Sequence, residues 1–288
     1  MSTVVLLTLT GLGLAALYFL IASGLSLVFG LAGVLNFAHG LFLSVGAYAT
    51  WWSAPRWGLV VAVPFGIATA ALTGALVELV LIRPLYRRQI EQVLVTVGLS
   101  LAGVALLQAV WGADARPFPR PMWTRGVTRI GGAVVPNSLL LLFVVATGVL
   151  LALLAFLRFT RIGLVIRAGV EDRSMVTALG IDVRKAFTLV FAIGGAAAAL
   201  AGALAGVHFS TVSPGQGGSL LIFGFIVVVI GGMGSVTGSA AAAVAVGLLQ
   251  QFVNYYAPGL GDVCVVALLA AVLLVRPAGL ASVVGRTA

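Results

Sequence analysis

The stretch Val4-Val-Leu-Leu-Thr-Leu-Thr-Gly-Leu-Gly-Leu-Ala-Ala-Leu-Tyr-Phe-Leu-Ile-Ala-Ser-Gly-Leu-Ser-Leu-Val-Phe29 decides the fold. It carries no charge, and the first charged residue of the chain is Arg56. A helix needs roughly 20 apolar residues to cross the hydrocarbon core of a bilayer, so this run is long enough to span. Water would have to solvate 55 leading uncharged residues in a soluble fold, and none does so. The run lacks a basic n-region and is too long for a signal peptide, so it reads as a retained first span.

The same pattern continues outward. Clear apolar runs occupy 58–82, 93–111, 138–157 and 186–207. Less tidy ones lie at 39–54, 219–236 (punctuated by glycine), 239–257 (rich in alanine) and 262–276. These imply an all-α polytopic integral membrane protein with about eight or nine membrane helices, some short or broken. Residues 1–288 read as one transmembrane domain. Composition agrees: 61% of the chain is hydrophobic and 8% charged, against about 25% charged in soluble domains.

Nine of the charges fall between Arg158 and Lys185. With this segment, the 83–92 loop and the C-terminus placed inside, the cytoplasm receives eleven basic residues and the outside five: Arg56, Arg116, Arg120, Arg125 and Arg129. Lys/Arg excess marks the cytoplasmic side. So 158–185 is expected to be cytoplasmic and the Pro-rich loop 112–136 external. The net charge of +9 suits arginines flanking spans and meeting anionic headgroups, rather than nucleic acid.

Several chemistries are missing. No G-x-x-x-x-G-K-S/T loop occurs, and the only lysine, Lys185, has no glycine loop before it, so the chain has no Walker-type ATPase of its own. There is no Ser/His/Asp set, no paired carboxylates and no H-E-x-x-H. The single Cys264 makes no internal disulfide, and no Cys/His cluster has metal-ligand spacing. Within the expected spans, apart from Asp262 and Arg276 at the two ends of 262–276, the candidate ionisable residues are Glu78, near the inner end of its helix, and His39. Secondary transporters more often carry a charge near mid-membrane. A transporter built on this chain would take its energy from a partner.

Four motifs remain. In Gly30-Leu-Ala-Gly33-Val-Leu-Asn36-Phe37-Ala-His39-Gly40, glycines interrupt an apolar run. Asn36 and His39, three apart, would share one face of a helix. This reads either as a pore-lining break or as an interhelical hydrogen-bonded pair. Gly194, Ala198, Gly202 and Gly206 recur every fourth residue and predict a helix-packing seam. Gly231-Gly232-Met-Gly234-Ser-Val-Thr-Gly238 is too glycine-rich for a helix interior. It reads as a tight turn between antiparallel spans or, as the second choice, as an unwound stretch exposing carbonyls to a permeation path. Finally, Glu171 and Asp172 suit a helix N-terminus and Gly180 its left-handed end, with Met175, Val176 and Leu179 forming an apolar patch between. Such a helix docks into a partner's groove or rests on headgroups.

These four segments, in this order, resemble the permease of the branched-chain amino acid ABC importer family. The closest likeness is to the permease subunit with the Asn-Phe-Ala-His-Gly signature, here Asn36 to Gly40. The likeness extends through Leu17–Gly30, Glu171–Ile181 and Gly231–Gly238, and covers essentially the whole chain. It implies a multi-pass protein of a prokaryotic inner (plasma) membrane, C-terminus cytoplasmic. Its partners would be a homologous second permease subunit, two cytoplasmic ATPase subunits and an external substrate-binding protein. This chain would bind no cofactor, ATP being used by the partner subunits. Glu171, Asp172, Met175, Leu179 and Gly180 would form the helix coupled to the ATPase. Asn36, Phe37 and His39, with Gln108 and Asn254, would be the candidates for the substrate path. Family members resemble importers of leucine, isoleucine and valine, and others carry urea, short amides or other amino acids. The competing reading from a different class is an autonomous gradient-driven carrier, with Glu78 or His39 handling protons.

Overall fold

The computed structural model describes residues 2–33, 35–86, 88–171, 173–178, 180, 183–277 and 279–280. The chain runs through α1 (Ser2–Ala32), α2 (His39–Val77), α3 (Gln89–Trp111), α4 (Asn137–Phe159), α5 (Arg161–Glu171) and α6 (Arg173–Ala178). It continues through α7 (Val183–Phe209), α8 (Gln216–Gly231), α9 (Val236–Tyr256) and α10 (Gly261–Val275). Among the described residues six helical stretches are long and apolar enough to cross a membrane, and α8 and α10 are shorter apolar helices. The protein is an all-α, multi-pass membrane protein.

The long α2 is not one rod. Gly58 sits at φ 72°, ψ 161°, a conformation that only glycine adopts at little cost. A straight helix would put residue 66 about 30 Å from residue 46. Instead, a Cβ built on Gly66 would lie 2.6 Å from the Gly46 carbonyl oxygen and also meet Thr50. The chain therefore folds back at Gly58 into two apposed arms, 39–57 and 59–77. With those arms counted separately, the described residues form nine apolar segments.

Helix α7 is the buried centre, packed on both α1 and α2. The seam works through absent side chains. A Cβ on Gly194 would meet Val28 of α1 at 2.9 Å, and one on Gly206 would meet the Phe118 ring at 2.6 Å. Gly202 abuts the Leu43 carbonyl of α2, and Ala198 is fully buried. In hydrocarbon such close backbone approach supplies dispersion contacts that the hydrophobic effect does not.

The segment 112–136 is folded. Strand β1 (Arg116–Pro117) pairs antiparallel with β4 (Thr211–Val212), and β2 (Val127–Ile130) with β3 (Ala133–Pro136). Gly131 (φ 57°) and Gly132 (φ 79°) make the hairpin turn, the positive-φ pair that two-residue hairpins require. Trp51 Nε1 donates to the Pro117 carbonyl at 3.0 Å, fastening this cap to α2. The opposite end brings α5 and the α8–α9 turn against the end of α1, with α6 packed on α5 and residues 279–280 on the α8–α9 turn.

Candidate functional site

Helix α1 stops at Ala32 because Gly33 turns left-handed (φ 65°), with its N–H on the Phe29 carbonyl at 2.8 Å. The link is non-helical from residue 35 to the turn at 37–38. Asn36 organises that turn. Its side-chain Oδ1 accepts from the Ala38 N–H at 3.1 Å and its carbonyl from the His39 N–H at 3.2 Å. The link returns deep into the bundle. His39 Nε2 lies 3.1 Å from the Ile21 carbonyl oxygen, and Ile21 is about 16 Å along α1 from its end.

The expected pairing of Asn36 and His39 on one helix face is not what forms. Helical spacing does not apply across the break, because only His39 belongs to α2. His39 is fully buried between α1 and α2, bonding two helices together. Asn36 faces elsewhere.

Where it faces is a cavity of about 460 Å³ between α1, the link, α3, α8 and α10. That size lies within the range of small-molecule pockets. Leu25, Leu101, Leu221, Ile222, Phe225 and Val266 give it an aliphatic and aromatic wall. Phe37 lines it and stacks on Phe225 with centroids 6.2 Å apart. The polar side chains in the lining are Asn36 and Ser100, and no charged residue contributes.

Of the other path candidates, Gln108 lies exposed near the end of α3, outside the cavity lining. Asn254 is exposed, and its Oδ1 accepts from the Gly261 N–H at 3.1 Å. It ties the α9–α10 turn. Residues that sequence reasoning missed include Ser100, and the chain in which Tyr18 donates to Gln250 (2.6 Å) and Gln250 to Asp262 (2.6 Å). An isolated Tyr within an apolar run and the Gln250-Gln251 pair were the available signals for the latter.

At the other candidate surface, Glu171 ends α5 instead of beginning a helix. Helix α6 is therefore shorter than the expected two-turn unit. Asp172 and Leu179 lie outside the described residues. Met175 is 62% exposed and Val176 only 4%, so these neighbours point apart and do not share an exposed patch; successive helical residues rarely do. Gly180 is left-handed at φ 77°. A groove of about 720 Å³ runs beside this segment, lined by Arg158, Arg167, Glu171, Ser235 and Thr237 above an apolar floor.

The glycine cluster forms the α8–α9 turn. Gly232 (φ 96°) and Gly234 (φ 88°) reverse the chain. Ser235 then caps α9 by accepting from the Gly238 N–H at 3.0 Å, so Gly238 lies in the first turn of that helix. Gly231 closes α8. The turn touches α1 directly: a Cβ on Gly30 would sit 2.7 Å from the Gly234 Cα and 3.3 Å from Val170 of α5. Helix α5, the turn and the end of α1 thus meet at one point, a few residues before the break.

Glu78 is fully buried and fully engaged. Arg83 donates from Nε (3.2 Å) and a terminal nitrogen (3.1 Å), Thr188 from its hydroxyl (2.7 Å), and Tyr86 from its phenol. A π-helical turn over Glu78–Ile82 brings these groups together, and the cluster joins α2 to the start of α7.

Residues 7–274 match the family described as branched-chain amino acid transport system / permease component. The chain belongs to this family. It is 30% identical over 285 residues to the high-affinity branched-chain amino acid transport system permease protein LivH of Escherichia coli K12, covering 94% of this chain and 92% of that one. Identity to the permease protein BraD of Pseudomonas aeruginosa is 31% over 286 residues (94% and 93% covered). With a probable LivH permease of Methanocaldococcus jannaschii it is 24% over 284 residues (92% and 88%). No solved structure matches the chain. In this permease the matched residues include the helix break, the cavity lining and the glycine-linked end face.

Proposed function

We propose that this permease is the membrane subunit of an ATP-binding-cassette importer that carries branched-chain amino acids across a prokaryotic plasma membrane. The observation that carries the reading is the cavity at the α1–α2 break, almost wholly aliphatic and aromatic, in a chain of this family. Aliphatic side chains gain by leaving water for such a wall. Such a wall suits an aliphatic side chain better than urea or a short amide, which have little apolar surface to bury.

Energy comes from partners: two cytoplasmic ATPase subunits, acting with a second permease subunit and an external binding protein. The end bearing α5 and α6 is cytoplasmic, as is the C-terminus, in keeping with the Lys/Arg asymmetry. ATP-driven closure of the ATPase pair moves the segment from Glu171 to Gly180. Val170 transmits the motion to Gly30 and Gly234, and so to the link that carries Asn36 and Phe37. Alternating access follows as the packed helices rock about the α7 seam. The gradient-driven alternative needs a free proton carrier, whereas Glu78 already holds four donated bonds and His39 bridges two helices.

The test is purification of the complex through a tag on this chain, with its co-encoded partners, followed by ATPase assay in liposomes. Leucine, isoleucine and valine should stimulate hydrolysis and urea should not. Absence of any copurifying ATPase would refute the reading.

A further inference from the structure

We propose that Asn36 is the polar recognition group of the cavity: its side-chain N–H donates to a carboxylate oxygen of an amino acid whose aliphatic side chain fills the wall. The inference rests on the importer reading for the identity of the ligand. Its ground is a single orphaned donor. Asn36 is 1% exposed, yet its Nδ2 has no hydrogen-bond partner among the described residues. Which side-chain atom is nitrogen is fixed by the other one, since Oδ1 already accepts from the Ala38 N–H. A buried amide donor left unpaired is costly, and such groups usually have a partner.

The surroundings define that partner. The rest of the lining is apolar apart from the Ser100 hydroxyl, and it contains no cation. The site therefore reads an apolar group and one acceptor, not a second charge. A ligand with a branched aliphatic chain and a carboxylate satisfies both demands. The lining offers the ammonium group no carboxylate, so this site does not read it. Phe37, stacked on Phe225 beside Asn36, closes the apolar side of the same site.

The test uses the intact transporter in liposomes, with Cys264→Ser and Ser100→Cys introduced so that one thiol reports occupancy of the cavity. Labelling by a small maleimide is followed with leucine, with 4-methylpentanoate (the carboxylate without the ammonium) and with isoamylamine (the ammonium without the carboxylate). Leucine and 4-methylpentanoate should slow labelling, and isoamylamine should not. Asn36→Asp keeps the acceptor for Ala38 but loses the donor. It should weaken protection by leucine about tenfold or more, the range for one hydrogen bond to a charged acceptor. Equal protection by isoamylamine overturns the role of Asn36. So does a rate unchanged by every ligand, which would mean that lipid fills the cavity. ATP-driven leucine uptake, measured on the same preparation, separates the two readings. Uptake without leucine protection overturns this site alone. Protection without uptake overturns the importer and leaves the site standing.

Discussion

Replacing Gly24 by alanine tests the packing that positions the break. A Cβ there would lie 2.8 Å from the Gly194 carbonyl oxygen, 3.0 Å from the Gly194 Cα and 2.9 Å from the His39 ring. Two of the three neighbours are α7 backbone and cannot rotate aside, so α1 and α7 must separate. Overpacking of this kind costs about 1–3 kcal/mol. Alanine also gains up to about 1 kcal/mol in helix propensity over glycine, which partly hides the cost. Gly148→Ala supplies the control, because nothing lies within 4 Å of its Cβ and it gains the propensity alone. The difference between the two variants, about 1–3 kcal/mol, isolates the seam. Unfolding in mixed micelles by denaturing detergent measures it directly. Gly24→Ala as stable as Gly148→Ala would refute the close-packed geometry, and with it the placement of His39 against α1.

Other outcomes follow from the same geometry. Arg83→Met strands a fully buried carboxylate, whereas Glu78→Gln leaves an arginine that can reach solvent, so thermal scans should place Arg83→Met below Glu78→Gln. The reverse order would contradict the assignment of the cluster. Glu171→Gln combined with Gly180→Val, the latter forced to φ 77°, should leave ATP hydrolysis running while leucine uptake falls; coupled turnover at normal expression would argue against a coupling role. Gln108→Leu should leave uptake kinetics unchanged, since its side chain is exposed outside the cavity. Asn254→Ala should cost about 0.5–1.5 kcal/mol of stability through the lost turn bond without altering the KM for leucine. A raised KM in either variant would reopen the path.

The membrane architecture was legible because uncharged runs of spanning length admit few alternatives. The run 39–54 and its successor at 58 even straddled the true reversal at Gly58. Function was less legible along the helices, since most are apolar all round and no periodicity marks the inward face. Nothing in the sequence sets Ser100, which lines the cavity, apart from Gln108, which lies exposed on the same helix. Asn36 and His39 were paired by helical spacing across what is in fact a break, a case in which local pattern yields to the glycine at 33. Glu171 was read as a helix start because an acidic residue suits that position, but the helical run from Arg161 carries through to it. The Gly131-Gly132 pair is a hairpin-turn signal for β2 and β3, which a reading of 112–136 as a Pro-rich loop passes over.

The central claim is that this chain forms a path energised by other subunits. The most direct test is uptake of labelled leucine into proteoliposomes holding either this chain alone or the whole complex with ATP and binding protein. The account predicts accumulation against a gradient by the complex and no flux through the lone chain. Equal movement down a gradient by the lone chain, with no gain from ATP, would contradict it.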